Sequence, residues 1–503
     1  VLMKKFIIIC IGILLPILSA NAQKNYTGKI IDTNNNPIFG ATIIDLNGST
    51  NGTTSNENGE FKITLKNPKI KVIMLGFNDK TVTLYSKFNT IILNQHSLEE
   101  IIISASREKQ KRNEIPAAIS VISAAKIDQT KAFGVDQLVN DTPGVYVASS
   151  RGSSNEQHFT AVRSPISTKP LFLFLEDGLP IRPTAIFNHN ALLELNTLSY
   201  KRVEVLRGPN ASIYGSDAIG GSFNFITKDP TKEISGHASL QANNLGFSSV
   251  GFDFGNQVTN KFGIYIASQF NQRNNGPFEH SDYDKYALKV KTVFTPNTSS
   301  KLTVTYAGSD FVTDMAGSVG EENYNSRNFQ SNQTFTNRDA VAHRISATWN
   351  EKWNENNKTS FSALYRDNVM KQNPSFRISD ERIRGQRTGR ILGEVNNNTF
   401  ESYFANIQHQ YKTSNNFAKI IIGATADFTN QDYVANRTEV TRDDATRKNI
   451  AFTVLDEFIL NYLADINNYA AYTQVEISPT EQLKITGGLR YDYFNYDFNN
   501  RIE

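Results

Sequence analysis

The C-terminal half of the chain, from about residue 235 onward, alternates apolar and polar residues with a period of two. In the run LTVTY, for example, the apolar positions are Leu302, Val304 and Tyr306, and similar runs recur at 341–349, 361–365 and 483–491. Successive side chains of a β-strand point to opposite faces of a sheet, so each run predicts a strand with one apolar face. Outer-membrane barrels have such alternating segments of about ten residues, but a soluble β-sandwich has the same period.

The connections between these predicted strands distinguish the two architectures. Short turns are predicted at Gln257–Lys261, Thr295–Ser300, Glu351–Asn357, Lys412–Asn416 and Ser478–Gln482. They alternate with longer connections at 271–285, 308–340, 367–401 and 429–466. Because short turns on one side and long loops on the other are a property of transmembrane barrels, the sequence favours a barrel.

The number of predicted strands is small for a complete barrel of the plugged type. We count about 11 strands between positions 235 and 493, whereas plugged outer-membrane transporters close with about 22. An open sheet edge is not tolerated in hydrocarbon, because its backbone groups would have no hydrogen-bond partners there. We therefore expect the sequence to hold about half of a barrel and to be truncated at its C-terminus.

Composition agrees with a mainly β membrane protein. The 503 residues have a mean hydropathy of −0.40 and yet include 32 Phe and 20 Tyr, as expected for strands with one lipid-facing side and polar loops. Beyond the first 20 residues no apolar run approaches the roughly 18 residues of a membrane helix. The net charge of +3 gives no nucleic-acid footprint. No catalytic constellation, cofactor site or metal site is expected.

The N-terminus has the pattern of a secretory signal peptide over residues 1–22. Basic residues at positions 4 and 5 precede an apolar run, and the small-residue sequence Ala20-Asn21-Ala22 follows it. Cys10, the only cysteine, lies within the apolar run. We therefore expect an exported mature chain without disulfides.

Residues 24–96 are predicted to form a small β-sandwich. Short strand-like runs, among them Tyr26–Ile31, Ala41–Leu46 and Glu60–Leu65, are separated by turns rich in Asn and Gly.

The next segment, residues 97–114, places an isolated apolar triplet among charges. Ile101, Ile102 and Ile103 follow an acidic pair and precede a run rich in Lys and Arg. A lone β-branched strand of this kind is either a buried edge strand or a peptide that docks on a partner by strand addition. The residues alone leave both interpretations open.

Residues 115–230 predict a small mixed domain. A strand is expected at Ile119–Ile122, helical spacing runs from Ala124 to Asn140, and a turn follows at Asp141–Val145. The stretch Val203–Lys228, VEVLRGPNASIYGSDAIGGSFNFITK, predicts a strand, a Gly-Pro turn, a short helix or turn and a second strand. It lacks the spacing of a phosphate-binding loop.

Several of these stretches resemble the TonB-dependent outer-membrane receptors. TPGVYV, LFLEDGLPI and VEVLRGPNASIYG occur in the order found in the plug domain of that family. GKIIDTNNNPIFGATI, GTTSNENGEFKI and MLGFND resemble the carboxypeptidase-regulatory-like domain that precedes many Bacteroidetes receptors. One departure is the sequence Val162-Arg163-Ser164, where the family usually has Ile-Arg-Gly.

The resemblance implies a domain order and a mainly β fold class. It consists of a signal peptide (1–22), a β-sandwich (24–96), a TonB box with its linker (97–114), an α+β plug (115–230) and the N-terminal part of a 22-stranded antiparallel barrel (235–503). The implied localisation is the outer membrane of a Gram-negative cell.

The resemblance also implies a function, which is TonB-dependent uptake of a scarce nutrient rather than catalysis. The sequence Leu206-Arg207-Gly208-Pro209 sides with siderophore, haem and cobalamin receptors rather than with SusC-like glycan or peptide importers. The expected substrate is a ferric siderophore or another iron complex, and the expected partners are TonB, outer-membrane lipid and a possible surface lipoprotein. A surface β-protein or adhesin without transport is the alternative of a different class.

Three groups of site residues follow from the resemblance. The TonB box is assigned to Glu100, Ile101, Ile102, Ile103, Ser104 and Ala105. Residues with a structural role in the plug are Pro143, Gly144, Arg163, Asp177, Gly178, Glu204, Arg207, Gly208, Pro209, Tyr214, Gly215, Gly220 and Gly221. Candidate ligand-binding residues, on loops expected at the apex of the plug, are Arg151, Arg182, Phe187 and His189, whose chemistry suits an anionic or aromatic chelate. Arg163, Glu204 and Arg207 are expected to hold the plug together or against the barrel wall.

Overall fold

The computed structural model describes residues 23–46, 51–75, 77–85, 88–93, 101–104, 107–108, 110–149, 158–169, 171–184, 186, 188–480 and 482–502. The chain divides into two compact units, residues 1–100 and residues 101–503. The predicted signal peptide lies outside the described residues.

The first unit is a sandwich of two β-sheets, as the sequence predicts. Its strands are β1 (Lys24–Ile31), β2 (Thr42–Asp45), β3 (Gly52–Thr54), β4 (Glu60–Leu65), β5 (Lys69–Ile73), β6 (Lys80–Thr83) and β7 (Asn89–Ile92). One sheet has the order β4-β1-β7 and the other has the order β3-β2-β5-β6. Alternate residues of β1, β4 and β5, among them Ile30, Ile63 and Ile70, are buried in a shared core. The period-two pattern therefore determines which face of each strand is covered.

The second unit begins with a short hairpin and a mixed domain that we call the plug. Its strands are β8 (Ile101–Ile102), β9 (Gln110–Lys111), β10 (Ala118–Ser123), β11 (Val145–Ser149), β12 (His158–Val162), β13 (Phe172–Glu176), β14 (Leu179–Pro180), β15 (Tyr200–Arg207) and β16 (Gly221–Thr227). The central sheet has the order β10-β15-β16-β13-β14, and β11 pairs with β12. β13 and β16 are buried along their whole length because both faces of this sheet are covered.

The helices of the plug are short. They are α1 (Ala124–Thr130), α2 (Val135–Val139) and α3 (Ala211–Tyr214), with 3₁₀ turns at Arg112–Glu114, Asn188–Glu194, Thr197–Ser199 and Ser216–Ala218. The stretch with helical spacing, Ala124 to Asn140, therefore forms two short helices. Lys131 adopts a left-handed conformation with φ 48°, and Gly134 is extended, so the chain breaks between α1 and α2. The predicted strand–turn–helix–strand order of Val203–Lys228 is confirmed.

The remaining strands form one antiparallel sheet, as expected for part of a barrel. They are β17 (Ser235–Ala242), β18 (Phe247–Asn256), β19 (Phe262–Arg273), β20 (Tyr283–Phe294), β21 (Ser300–Asp314), β22 (Asn337–Lys352), β23 (Asn357–Asn373), β24 (Ser379–Ile383), β25 (Gln386–Lys412), β26 (Ala418–Arg442), β27 (Asn449–Thr480) and β28 (Leu483–Asn500). Eleven of these described strands pair in chain order, and β24 pairs only with β25. A helix α4 (Glu321–Asn325) and a 3₁₀ turn (Ser375–Arg377) lie in two of the long connections.

Two of the predicted long loops, 367–401 and 429–466, are mostly strand. β25 pairs with β26 as far as Leu392 and Glu439, and β26 pairs with β27 as far as Arg442 and Asn449. The apolar alternation fades in these stretches, but the backbone ladder continues and charged side chains pair across it, as in the 2.7 Å contact of Arg437 Nε with Glu457 Oε1. These strands could not be predicted from the apolar alternation. The alternation shows which face of a strand is apolar, but it does not show where the backbone hydrogen bonds between two strands end.

The sheet is apolar outside and polar inside, the reverse of a soluble sandwich. On β18, Val250, Phe252 and Phe254 are exposed, whereas Ser249 and Asp253 are buried toward the plug. In the neighbouring strands, exposed apolar and aromatic side chains again alternate with buried positions. Many of the buried positions are polar, although Tyr265, Tyr283 and Phe311 are also buried there. This arrangement is the one that a lipid-facing barrel strand requires. Among the described residues, no helix is long and apolar enough to cross a membrane.

Candidate functional site

The plug has a cavity against the sheet at the end where the long connections lie. The cavity has a volume of about 200 Å³. Thr168, His189 and Asn190 line it from the plug, and the sheet contributes residues from five stretches of chain: Arg338, Met370, Gln372, Phe376, Arg377, Glu394, Asn396, Asn398 and Tyr433. In barrels of this type the long connections lie outside the cell, so this end corresponds to the external side.

His189 is the candidate ligand-binding residue that the structure brings to this cavity. Burial lowers the pKa of His189, and the positive charges of Arg182 and Arg338 lower it further, to about 4. A hydrogen bond with the backbone of Thr168 acts in the opposite direction. His189 is therefore neutral at pH 7 and offers a ligand hydrogen bonds rather than charge.

The charge of the cavity comes from two arginines that the sequence did not indicate. Arg338 is almost fully buried and donates from Nε and Nη2 to Oε1 of Gln372, at 3.1 and 3.0 Å. Arg377 is largely exposed, and its Nε lies 3.5 Å from Oε2 of Glu394. Two guanidinium groups against one carboxylate leave the lining with an excess of positive charge, which suits an anionic ligand.

Arg182, also predicted to contact ligand, has a different position from the one expected. Its side chain is 1% exposed, and its Nε donates to Oε1 of Glu194 at 2.7 Å. The guanidinium also lies 5.5 Å from the centre of the Phe400 ring. Arg182 therefore does not lie exposed at the apex of the plug. It is buried and pairs with the buried carboxylate of Glu194. Arg151 and Phe187 lie outside the described residues.

Glu194 belongs to a network of charges buried between the plug and the sheet. Arg344 on β22 pairs with Glu194 and also, at 3.3 Å, with Glu176 of the plug. Glu176 pairs in addition with Lys289 on β20 and accepts a hydrogen bond from Tyr200 Oη at 3.0 Å. Burial alone would raise the pKa of Glu176, but the positive charges of Lys289 and Arg344 and these hydrogen bonds lower it to about 2.

One strand supplies three buried cations that contact the plug and the segment after it. Lys285, Lys289 and Lys291 share the inward face of β20 and are buried. Lys285 donates to the backbone oxygen of Leu195 at 3.0 Å, and Lys291 lies 2.9 Å from Asp229 and 3.5 Å from the predicted plug residue Asp177. The sequence did contain a sign of these contacts. Three lysines at alternate positions of a predicted strand share one face, and buried charges on one face require oppositely charged or polar partners.

The sequence segment 97–114, which holds the predicted TonB box, is called the docking segment below. Its described residues lie at the opposite end, among the short turns. Ile101 and Ile102 pair antiparallel with Lys111 and Gln110. Ile102 is fully buried and packs with Ile119 and Leu206 of the plug. Glu100 and Ala105 lie outside the described residues.

The docking segment is also tied to the sheet. Arg107 stacks on Tyr214 at 4.6 Å and donates to Asn406 Oδ1 at 2.5 Å, while Glu108 pairs with Lys358 at 2.5 Å. Both sheet residues lie near the short-turn ends of their strands. Short turns face the periplasm in such barrels, so the segment lies at the periplasmic end.

Two of the predicted plug glycines, Gly220 and Gly221, lie where a side chain would not fit. A Cβ on Gly220 would come within 2.4 Å of the Phe172 ring, and one on Gly221 within 2.6 Å of the backbone oxygen of Leu206. Side chains at these two positions would force β13, β15 and β16 apart. The other predicted glycines have positive φ, as in Gly144, Gly178, Gly208 and Gly215.

Arg163 and Arg207 meet at the Pro143-Gly144 turn. Arg207 Nη1 donates to the backbone oxygen of Pro143 at 2.6 Å, and the Arg163 backbone N–H donates to the backbone oxygen of Gly144 at 3.0 Å. Arg163 has a φ of 53°, a left-handed conformation, at the site where the family usually has Ile-Arg-Gly. Burial lowers the pKa of Arg207, and the nearby positive charges of Arg163 and Arg112 add to this effect.

Comparison with known proteins identifies the family. Family models match the TonB-dependent receptor plug domain over residues 111–222, a CarboxypepD_reg-like domain over residues 26–104 and a TonB-dependent receptor-like β-barrel over residues 286–502. The chain belongs to the TonB-dependent receptor family. Members of this family are outer-membrane receptors and transporters and not enzymes.

Solved structures show the same receptor fold. The chain is similar to the ferric citrate transporter FecA in its unliganded form, with 17% identity and a TM-score of 0.62, covering 77% of this chain and 57% of that one. It is similar to the ferripyoverdine receptor of the outer membrane of Pseudomonas aeruginosa, with 15% identity, a TM-score of 0.67 and coverages of 82% and 58%. It is also similar to the ferric yersiniabactin uptake receptor FyuA of Yersinia pestis, with 13% identity, a TM-score of 0.60 and coverages of 79% and 62%. The chain thus spans about three fifths of the length of these receptors.

Proposed function

We propose that this receptor takes up an anionic iron chelate across the outer membrane and draws its energy from TonB. The observation that carries the proposal is the polarity of the plug. A positively charged cavity lies at its long-connection end, and a strand-forming segment lies at its short-turn end. A receptor that binds outside and is pulled from the periplasm needs a ligand site and a docking segment at opposite ends of one movable domain.

The substrate class is proposed from the chemistry of the cavity. Arg338 and Arg377 favour a ligand with carboxylate or other anionic groups, and neutral His189 adds hydrogen bonding. At about 200 Å³ the cavity is smaller than the roughly 300–1,000 Å³ of a typical ligand site, so it would receive one arm of a larger chelate. The named substrates of the similar structures, ferric citrate, ferripyoverdine and ferric yersiniabactin, support iron chelates as the first class to test.

The docking segment is proposed to act by strand addition to the periplasmic domain of TonB. In strand addition the backbone hydrogen bonds supply the affinity, so a short apolar β-branched run is sufficient. Proline removes a backbone donor and fixes φ, and an added strand does not tolerate it in mid-run.

Ile102→Pro in the full-length receptor tests the role of the docking segment, and a panel of ligands tests the substrate class. Uptake of radioactive iron should fall to the level of a strain without TonB, while binding of the chelate to the cell surface should remain. A panel of iron loaded on citrate, hydroxamate and catecholate carriers, together with cyanocobalamin and a maltooligosaccharide, would establish the substrate class.

Ile102→Val is the matched control, because it keeps the backbone donor and a β-branched side chain. It should transport normally. Normal uptake by Ile102→Pro would reject the docking segment, and uptake of only the sugar or the cobalamin would reject the iron chelate.

A further inference from the structure

We propose that the outer face of the sheet holds one acyl chain of an outer-membrane lipid whose headgroup carries an ammonium group. The site consists of an apolar groove over β25, β26 and β27 and a row of carboxylates on the external side of this groove. It involves neither the plug nor TonB nor the transported ligand, so it goes beyond the proposed function.

The groove is an open cavity of about 510 Å³ with a floor of small side chains. Ala405 lies directly opposite Ala426. Ala424 lies directly opposite Ala471. These side chains point away from the plug, because Tyr472, the neighbour of Ala471, packs on the plug and successive residues of a strand point to opposite faces. Four methyl groups in adjacent positions therefore leave a depression in the lipid-facing surface.

Larger apolar side chains form the walls of the groove. Phe361 and Ile407, which lie opposite each other on β23 and β25, form one wall, and Tyr469 on β27 forms another. Lipid tails cover this face in a transmembrane barrel, so the occupant of an apolar groove here is an acyl chain. Because lipid tails and apolar side chains have the same polarity, specific binding comes from van der Waals packing, which a groove provides better than a flat surface.

A second feature, which we call the acidic row, crosses the same face on the external side of the groove. Five consecutive cross-strand partners on β23, β25, β26, β27 and β28 form it: Asp367, Glu401, Asn430, Asp465 and Asp497. Glu401 precedes Ala405 by four residues and therefore points to the same face. At about 3.4 Å per residue, the acidic row lies roughly 13 Å from the groove.

The carboxylates of the acidic row oppose one another. Asp367 lies directly opposite Glu401, and Asp465 lies directly opposite Asp497. In the part of the chain that the structure describes, the ion pairs of these strands involve other carboxylates and none of these four. Like charges directly opposite each other destabilise an antiparallel pair, so a cation at the acidic row would relieve this repulsion.

The acidic row also offers hydrogen-bond acceptors. Glu401 accepts from Tyr365 Oη at 3.2 Å, and Asp465 accepts from Asn430 Nδ2 at 2.7 Å. Both donors are neutral, and both carboxylates are exposed and have further lone pairs. An ammonium group supplies a positive charge and up to three N–H donors, whereas an anionic headgroup would be repelled.

A lipid with an ammonium headgroup satisfies both features at once. Lipids place the headgroup at the interface and the acyl chains in the hydrocarbon, in the same order as the acidic row and the groove. Tyr403 and Phe428 lie opposite each other between the two features, where the aromatic side chains of a barrel meet the interface. Charge complementarity and position together therefore select this occupant.

Native mass spectrometry of the full-length receptor in detergent tests the site. The probes are phosphatidylethanolamine and phosphatidylglycerol with identical acyl chains, so that only the headgroup differs. The receptor should bind phosphatidylethanolamine about fivefold more tightly or better, because one favourable charge contact at a membrane surface contributes about this factor.

Two double variants separate the acidic row from the groove. Glu401→Gln with Asp465→Asn removes two charges of the row and should abolish the preference between the two lipids. Ala405→Leu with Ala426→Leu fills the groove and should weaken the binding of both lipids about tenfold or more, because several methylenes of the acyl chain lose their contacts.

Matched controls carry the same kinds of substitution elsewhere on the lipid-facing side. Asp284→Asn on β20 and Ala238→Leu on β17 alter exposed side chains outside the groove and should change neither the affinity nor the preference. Equal affinity of the unaltered receptor for both lipids would overturn the proposal, as would an equal loss in a variant and its control. Loss of binding on addition of EDTA would overturn the ammonium headgroup, since a divalent cation would then join the acidic row to a lipid phosphate.

Discussion

Two faces of the plug contact the sheet by different chemistry. Toward β20 and β22, buried ion pairs join Glu176 and Glu194 to Lys289 and Arg344. Toward β26 and β27, α3 and its surroundings make apolar contacts, in which Ile213 packs with residues of the plug and of both strands, including Ile421 and Tyr472.

The two faces should respond differently to a force on the plug. A buried ion pair is directional, and separating its partners leaves charges in a medium that solvates them poorly. Apolar contacts are roughly proportional to buried area and tolerate sliding as long as the area stays covered. The comparison predicts that the face toward β20 and β22 is fixed and that the face toward β26 and β27 yields first.

The largest expected effect comes from removing the central cation of the ionic face. Arg344→Met leaves Glu176 and Glu194 without their shared guanidinium and should lower the free energy of opening of β13 by about 3–5 kcal/mol. Hydrogen exchange of the β13 amides in the full-length receptor measures this free energy.

Arg390→Met is the matched control for that experiment. Arg390 pairs with Glu439 at 2.9 Å, but both side chains are nearly half exposed and water screens the pair, so its loss should have little effect on stability. Equal effects of the two substitutions would show that burial does not distinguish the ionic face.

On the apolar face, truncation of a buried side chain should have a somewhat smaller effect. Ile213 is fully buried, and Ile213→Ala should destabilise α3 by about 2–4 kcal/mol through the cavity that it leaves. Hydrogen exchange should show faster opening in α3 and unchanged protection in β13. Ile219→Ala, directly after the 3₁₀ turn Ser216–Ala218 and 55% exposed, is the control and should have little effect. Loss of protection in β13 as well would mean that the two faces open together.

The smallest expected effect is that of acid, which should weaken the ionic face of the plug and leave the apolar face unchanged. The pKa of Glu176 is lowered from 4.5 to about 2, so its contribution is complete above about pH 4.5 and is lost as the pH falls toward 2. Going from about pH 5 to about pH 3 should reduce the opening free energy of β13 by roughly 2 kcal/mol. The reason is that the Glu176 carboxyl binds a proton in the open state in this pH range, whereas in the native state it stays ionised. Glu176→Gln should lose most of this pH dependence, and α3 should lack it. A pH dependence that persists in Glu176→Gln would assign it to another group.

Much of the fold could be predicted from local pattern. The period of two in β21, β22, β23 and β28 indicated strands, and the Gly-Pro and Gly-Gly positions of Val203–Lys228 indicated the turns of the central plug hairpin. Prediction failed where local pattern did not carry the information, as at the break near Lys131 and in the long ladders of β25 to β27.

The candidate site was less predictable. His189, a candidate from the sequence, lines the cavity. Arg338, Arg377 and Tyr433 come from distant parts of the chain and belong to no shared motif. Arg182 had suitable chemistry for a ligand, yet the structure buries it against Glu194. The identity of a charged residue does not reveal whether its partner is a ligand or another side chain.

The sequence by itself indicated most of the strands, the apolar face of each predicted strand and the positions where the chain turns tightly. Side-chain alternation and the conformational range of glycine and proline are properties of a few neighbouring residues, so they can be read locally. Only the tertiary structure decided the partners, such as Lys289 with Glu176, 113 residues apart, and Ser104 with Glu204, 100 residues apart. The physical reason is that strand order and register bring these groups together, and a buried charge then bonds whatever complementary group the fold places within reach.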